Sequence, residues 1–241
     1  MGSFDFILNY LTSPLFLRGA AMTLVITILS VLCGMLVGLG VALLQQSGHR
    51  ALRGVALAYL WLFRGTPVLF QLIFVFNVLP SFGVVLSGFA CAILALSLNE
   101  GAYMSEIMRS GLQAVGRGQR MAARALGMGE GQVMAFVVLP QALRIIIPPI
   151  GNQFIGMLKL SALVSVIAVE DLLLVANQTA SRNFRYLEAL TAAGIYYLVL
   201  TTAFMLIQAR IEGWAKGRRR TRNAARPLPL AALADAGERA R

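Results

Sequence analysis

Few side chains in this 241-residue sequence can do chemistry, and the sharpest is Glu100, flanked by Asn99 and followed one helical turn later by Tyr103 in an otherwise apolar stretch. A carboxylate in that setting suits a cation: the ammonium of a passing solute, or a buried partner such as Arg64 or Lys159. Lys159 lies near the middle of another apolar run. At roughly 1.5 Å per residue it is about 15 Å from either end, too far for easy snorkelling, so it needs a carboxylate or carbonyl. Arg64 precedes Thr66 and Pro67, which together suit the cap and first residue of a helix and would leave Arg64 structural, at an interface.

Hydrolytic and metal chemistry have little to build on. There is no HExxH pair, no GxSxG elbow and no GxxxxGK[ST] phosphate loop. His49 reads as a solvated loop residue, and Cys33 and Cys91 as apolar packing residues; one His and two separated Cys cannot supply a ligand set. The expectation is a chain with no catalytic residue, no metal and no cofactor of its own, so that any work with ATP and Mg uses a site on another chain.

The elements that must position these residues are membrane helices. Hydrophobic residues make up 58% of the chain and charged ones 13%, unlike a soluble domain of this length. Runs of about 20 residues with little or no charge occur at Ala20–Leu44, Val55–Leu79, Val84–Met108, Ile145–Val169 and Ala189–Ala209, which predicts an all-α membrane protein of five transmembrane helices. Gly34 and Gly38 form a GxxxG that admits a close neighbour. Pro148 and Pro149, with Gly151 and Asn152, are expected to break the start of the fourth span.

Arginine placement sets the orientation. Arg50 and Arg53 follow the first span, Arg117, Arg120, Arg124 and Arg144 lie after the third, and Lys216, Arg218, Arg219, Arg220 and Arg222 follow the fifth. Short basic loops stay cytoplasmic, so the N-terminus is expected outside and the C-terminus inside, with no cleaved signal peptide. The net charge of +11 is then a topology signal, not a nucleic-acid footprint. The expected divisions are an outer segment 1–19, a membrane domain 20–214 with a cytoplasmic loop at 116–140, and a basic, disordered tail at 215–241.

That loop has a pattern of its own. Arg117, Arg120 and Arg124 share one helical face, with Ala122, Ala125 and Leu126 on the other. Gly127 suits a left-handed stop. Val133, Phe136, Val137 and Pro140 then restart the period, giving a helix, a turn and a second helix that Pro140 ends or kinks. Such an elbow is built to touch a partner or to lie on membrane lipid.

These residues carry a resemblance. "GQRMAARALGMGEGQVMAFVVLPQALR", Gly118 to Arg144, is similar to the cytoplasmic loop signature of ABC importer permeases, with Ala122, Ala123, Gly127, Val137, Leu139 and Pro140 in register. "RGTPVLFQL", "NEGAYMSEIMRSGLQAV", "GNQFIGMLK" and "FLRGAAMTL" resemble the polar amino acid branch of that family, the histidine, glutamine and arginine type. The resemblance implies a type I permease fold with a coupling helix. It also implies a multi-pass place in the cytoplasmic (inner) membrane and polar amino acid import. The implied partners are a dimer of ABC ATPase subunits, a second permease subunit, identical or homologous, a periplasmic or extracellular amino acid-binding protein, and no nucleic acid. It implies an ATPase-coupling face of Arg120, Met121, Ala122, Ala123, Leu126 and Gly127, and a substrate pathway drawn from Arg64, Thr66, Gln71, Asn99, Glu100, Tyr103, Lys159 and Ser161.

Two positions depart from the pattern. Met121 stands where the family has Glu, and Leu160-Ser161-Ala162 where it often has an acidic residue, Thr and Ser. The first makes a sister subunit with an intact loop conceivable. The competing reading is an ATP-independent secondary transporter or channel, which has no use for the elbow.

Overall fold

The computed structural model describes the backbone of residues 2–223 and the side chains of residues 2–213. Every regular element among them is helical: α1 (Ser3–Thr12), α2 (Pro14–Gln46), α3 (Arg50–Gly65), α4 (Val68–Val78), α5 (Gly88–Gln113), α6 (Arg117–Ala125), α7 (Glu130–Gln132), α8 (Leu139–Leu160), α9 (Leu172–Asn183) and α10 (Tyr186–Asn223). The part of the expected tail at 224–241 lies outside the described residues.

Local chemistry starts the helices. Ser13 caps α2, its hydroxyl accepting from Leu15 N–H at 3.3 Å, and Pro14 takes the first position, where no donor is required. Ser87 does the same for α5 through Ala90 N–H. Asp171 opens α9 by accepting from the N–H groups of Leu173 and Leu174 at 3.2 and 3.0 Å. Burial pushes this carboxyl above its ordinary value, and those donors pull it back. The adjacent Leu172 N–H donates to Thr23 Oγ1, tying α9 to α2.

The central contact is α2 against α5. A Cβ on Gly34 would fall 2.8 Å from Glu100 Cβ, and one on Gly38 2.6 Å from Met104 Cβ. The register advances in the same direction on both helices, so α2 and α5 run parallel. The GxxxG is thus used inside the chain, where α5 fills it. Ile26, Val31, Leu72, Leu96, Met104, Met157 and Val164 close the main core around this pair. A second cluster joins α1, α2, α9 and α10 through Phe16, Leu172, Ala176 and Ala192, with Tyr196 Oη donating to Leu11 C=O at 2.6 Å. Along α2 and α10 the outward side chains are large and apolar, Leu36, Leu43, Leu198 and Met205 among them.

Among the described residues, three helical runs are long and apolar enough to cross a bilayer, Pro14–Gln46, Glu130–Ile167 and Tyr186–Gly213, and α3 with α4 makes a fourth if a pair bent by 103° is one span. The sequence reading needs correction at three places. The second span is not one helix: Thr66 is the C-cap of α3, Pro67 precedes α4, and the chain turns between them. Pro140 does not end the elbow's second helix, which runs on into α8. A π-helical stretch, Val133–Val138, precedes it, and Leu139 N–H reaches back to Met134 C=O, a wider turn that accommodates the proline ring. Pro148 and Pro149 lie inside an unbroken α8; the helix tightens only at Ser161–Ile167, before Ala168 turns left-handed at φ 58°.

Candidate functional site

The predicted pathway residues are distributed over three places. The first is the α3–α4 bend. Bending a helix frees carbonyls at its end, and a buried carbonyl must find a donor. Gln71 supplies it: Nε2 donates to Phe63 C=O at 3.0 Å, Thr66 C=O at 3.1 Å and Thr66 Oγ1 at 2.8 Å. Asn99 of α5 donates to the same Phe63 carbonyl at 3.0 Å and to Gln71 Oε1 at 3.1 Å. Thr66, Gln71 and Asn99 are therefore one latch that holds the bend against α5. Tyr59 adds a fourth strand to it, its hydroxyl donating to Leu98 C=O.

The second place is the interior beside Gly34. Glu100 is 2% exposed, packed over Gly34, with Gln153 of α8 facing its carboxyl. No ion pair joins it to Arg64 or Lys159 among the described residues, and its Oε1 has no hydrogen-bond partner there. Ser161 is fully buried and donates to Leu158 C=O at 2.8 Å, a helix-end contact. Lys159 is exposed on the opposite side of α8. Asn152, Gly156 and Lys159 recur at i, i+4 and i+7 on that face; Asn152 is exposed as well, and a Cβ on Gly156 would meet nothing within 4 Å. Asn152 Oδ1 accepts from Gln208 Nε2 of α10 at 2.9 Å, so the stripe is open from Gly156 to Lys159, and an exposed lysine on a membrane helix faces water or another chain.

The third place is a cavity of about 880 Å³ between the C-terminal parts of α2, α3 and α5, and it holds Arg64 and Tyr103. The Arg64 guanidinium stacks 5.6 Å from the Tyr103 ring centroid and stands 4.0 Å from Glu106 Oε2. Glu106 is held more tightly by Arg109, at 2.8 and 3.2 Å. Reasoning from sequence passed over Glu106 and Arg109, although their Glu-x-x-Arg spacing is an ordinary i, i+3 pair.

At the end of the bundle where α5 finishes, the elbow is moored to the chain. Val115, Ala123, Val133, Val138, Ala142 and Ile146 form its core. Gly127 takes φ 79°, the left-handed stop its position suggested. Arg124 Nε meets Glu130 Oε1 at 2.6 Å and closes the turn. The coupling residues that the resemblance implies divide: Met121, Ala122, Leu126 and Gly127 are exposed, whereas Ala123 is buried and Arg120 turns inward, donating to Leu112 C=O at 2.9 Å. A guanidinium on the last carbonyls of α5 also suits the negative end of that helix.

Long apolar helices around buried polar groups, with a stiff helical elbow at one end, define a membrane transport subunit. Residues 30–217 match the family described as binding-protein-dependent transport system inner membrane component, and the chain belongs to that family. The arginine transport system permease protein ArgU of Corynebacterium glutamicum is 39% identical over 244 residues, which cover 95% of this chain and 76% of that protein. The arginine transport system permease protein ArtQ of Bacillus subtilis is 40% identical over 200 residues, 83% of this chain and 91% of that one. Among solved structures, an amino acid ABC transporter crystallised with histidines superimposes with a TM-score of 0.79 at 42% identity, covering 83% of this chain and 93% of that chain.

Proposed function

We propose that this chain is the permease subunit of an ABC importer of polar amino acids in the inner membrane, and that it crosses five times, through α2, the bent α3–α4 pair, α5, α8 and α10. The observation that carries the reading is similarity to amino acid permeases over most of the chain, with the elbow included in the matched region. The crossing added to the four long apolar runs is α5, third in chain order, whose 26 residues span about 39 Å and lie alongside α2 through the depth of the bundle. Because α2 and α5 are parallel, their C-terminal ends are on one side. Arg50 and Arg53, in the first turn of α3, and the elbow arginines therefore share a face, which supports an outside N-terminus and an inside C-terminus.

In this reading two permease subunits, identical or homologous, meet across the open α8 stripe, and the solute passes between them. Lys159 receives the solute's carboxylate. Glu100 meets its ammonium at a separate step, where the path passes the α8 face that carries Gln153. An external binding protein delivers the amino acid, and α6 is the coupling helix. Met121, Ala122 and Leu126 enter the partner ATPase, while Arg120 and Ala123 fasten the helix to α5 and α8 so that ATP-driven motion reaches the membrane. ATP and Mg belong to that partner.

The test is reconstitution of the chain with its ATPase subunits and binding protein in proteoliposomes, supplied with labelled arginine, glutamine or histidine. Uptake that requires ATP and all three components is expected. Uptake by the permease alone would replace this reading with a secondary transporter or channel.

A further inference from the structure

We propose that the cavity between α2, α3 and α5 is a binding site for the phosphodiester headgroup of an anionic membrane lipid, one per permease subunit. Its charge is unbalanced in the required direction. Arg64 and Arg109 share the single carboxylate of Glu106, which leaves an excess of one positive charge among the residues that line it. The sharing is also unequal. Arg109 forms a two-point contact with Glu106, whereas Arg64, at 4.0 Å, is beyond hydrogen-bond range of it and is oriented instead by the Tyr103 ring. A planar guanidinium stacked on one face keeps its N–H edge for an oxyanion, the geometry that arginine offers to phosphate.

The lip of the cavity is apolar in a way a free anion would not select. Leu57 and Trp61 of α3 line the same space and are 62% and 79% exposed. Arg53 lies one turn before Leu57 on the same helical stripe, so α3 presents, in order, a basic residue, two apolar ones and a second basic residue at its far end. Basic groups beside an exposed indole at a membrane helix match a lipid, whose phosphate and acyl chains sit next to each other. This assigns Arg64 and Tyr103 to lipid recognition and leaves the solute path to the α8 stripe. The assignment does not depend on which solute is carried.

The experiment counts lipids by native mass spectrometry on the assembled permease and ATPase complex, stripped in detergent and then offered phosphatidylglycerol or phosphatidylcholine. Phosphatidylglycerol is expected to be retained at one site per permease subunit that phosphatidylcholine does not fill. Arg64→Gln and Trp61→Ala are each expected to lower that occupancy about five-fold or more, the loss of one basic contact or one interfacial anchor. Trp61→Phe should restore it. Because Arg64 also packs on the Tyr103 ring, assembly and melting temperature are compared first, and if Arg64→Gln fails to assemble, the exposed Trp61 pair decides. Wild-type occupancy in Trp61→Ala would overturn the site. So would displacement by millimolar inorganic phosphate, which marks a free-anion site, or by millimolar amino acid, which would return the cavity to the solute path.

Discussion

At Gly38 the missing side chain is what lets two helices touch, because a methyl group would lie 2.6 Å from Met104 Cβ and 2.9 Å from Ser105 N. Gly38→Ala must push α2 from α5, at a cost of about 1–3 kcal/mol. The melting temperature of the purified protein in detergent should fall by roughly 2–10 °C. Gly40→Ala is the control: a Cβ there meets nothing within 4 Å, so its melting point should stay at wild type. Equal melting temperatures for both variants would mean that the α2–α5 contact is looser than described. Glu100 invites a different substitution. Gln keeps its shape over Gly34 and removes its charge. Glu100→Gln should assemble with the ATPase yet transport roughly tenfold less or worse, most of all for cationic amino acids. Failure to assemble would make Glu100 a packing residue, and unchanged uptake would take it off the solute's route.

Among the elements, α6 and its turn make the most exacting use of backbone geometry. Gly127→Leu places a side chain at φ 79°, which costs about 1–2 kcal/mol locally, with open space around it. The membrane core should survive while the elbow's exposed face shifts. Uptake should then fall and ATP hydrolysis continue; wild-type uptake at equal membrane abundance would remove the coupling role. The turn was legible in the sequence because Gly127 ends an Arg and Ala period, a purely local signal. The α3–α4 bend was not. Pro67 marks a turn, but its angle is held by Asn99 and Gln71, partners 28 residues apart that no periodicity connects. The same division runs through the site. Glu100 stood out as a charge in apolar surroundings, whereas its packing against Gly34 and the claim of Glu106 on Arg64 depend on which helices lie side by side. Pro140, Pro148 and Pro149 misled in another way: a π-helical stretch precedes the first and α8 continues through the other two, at positions that local rules read as breaks.

For the whole molecule, orientation is the property that every functional statement shares. Phe184, which ends α9 and is 87% exposed, and Gly129, in the elbow, fall on opposite sides of the membrane in the proposed topology. With Cys33 and Cys91 replaced, Phe184→Cys should react with an impermeant thiol reagent applied outside intact cells whose outer barrier admits it. Gly129→Cys should react only after lysis. The reverse pattern would overturn the orientation and the docking of the elbow together. The helical run from Glu130 to Ile167 then acquires a mechanical meaning. Its 38 residues correspond to a shaft of about 57 Å, with the elbow at one end and the left-handed Ala168 at the other. A rotation of about 10° about the elbow end would sweep the far end of such a shaft through about 10 Å, several times the width of a water molecule, so leverage supplies amplitude that no bond at the elbow need provide.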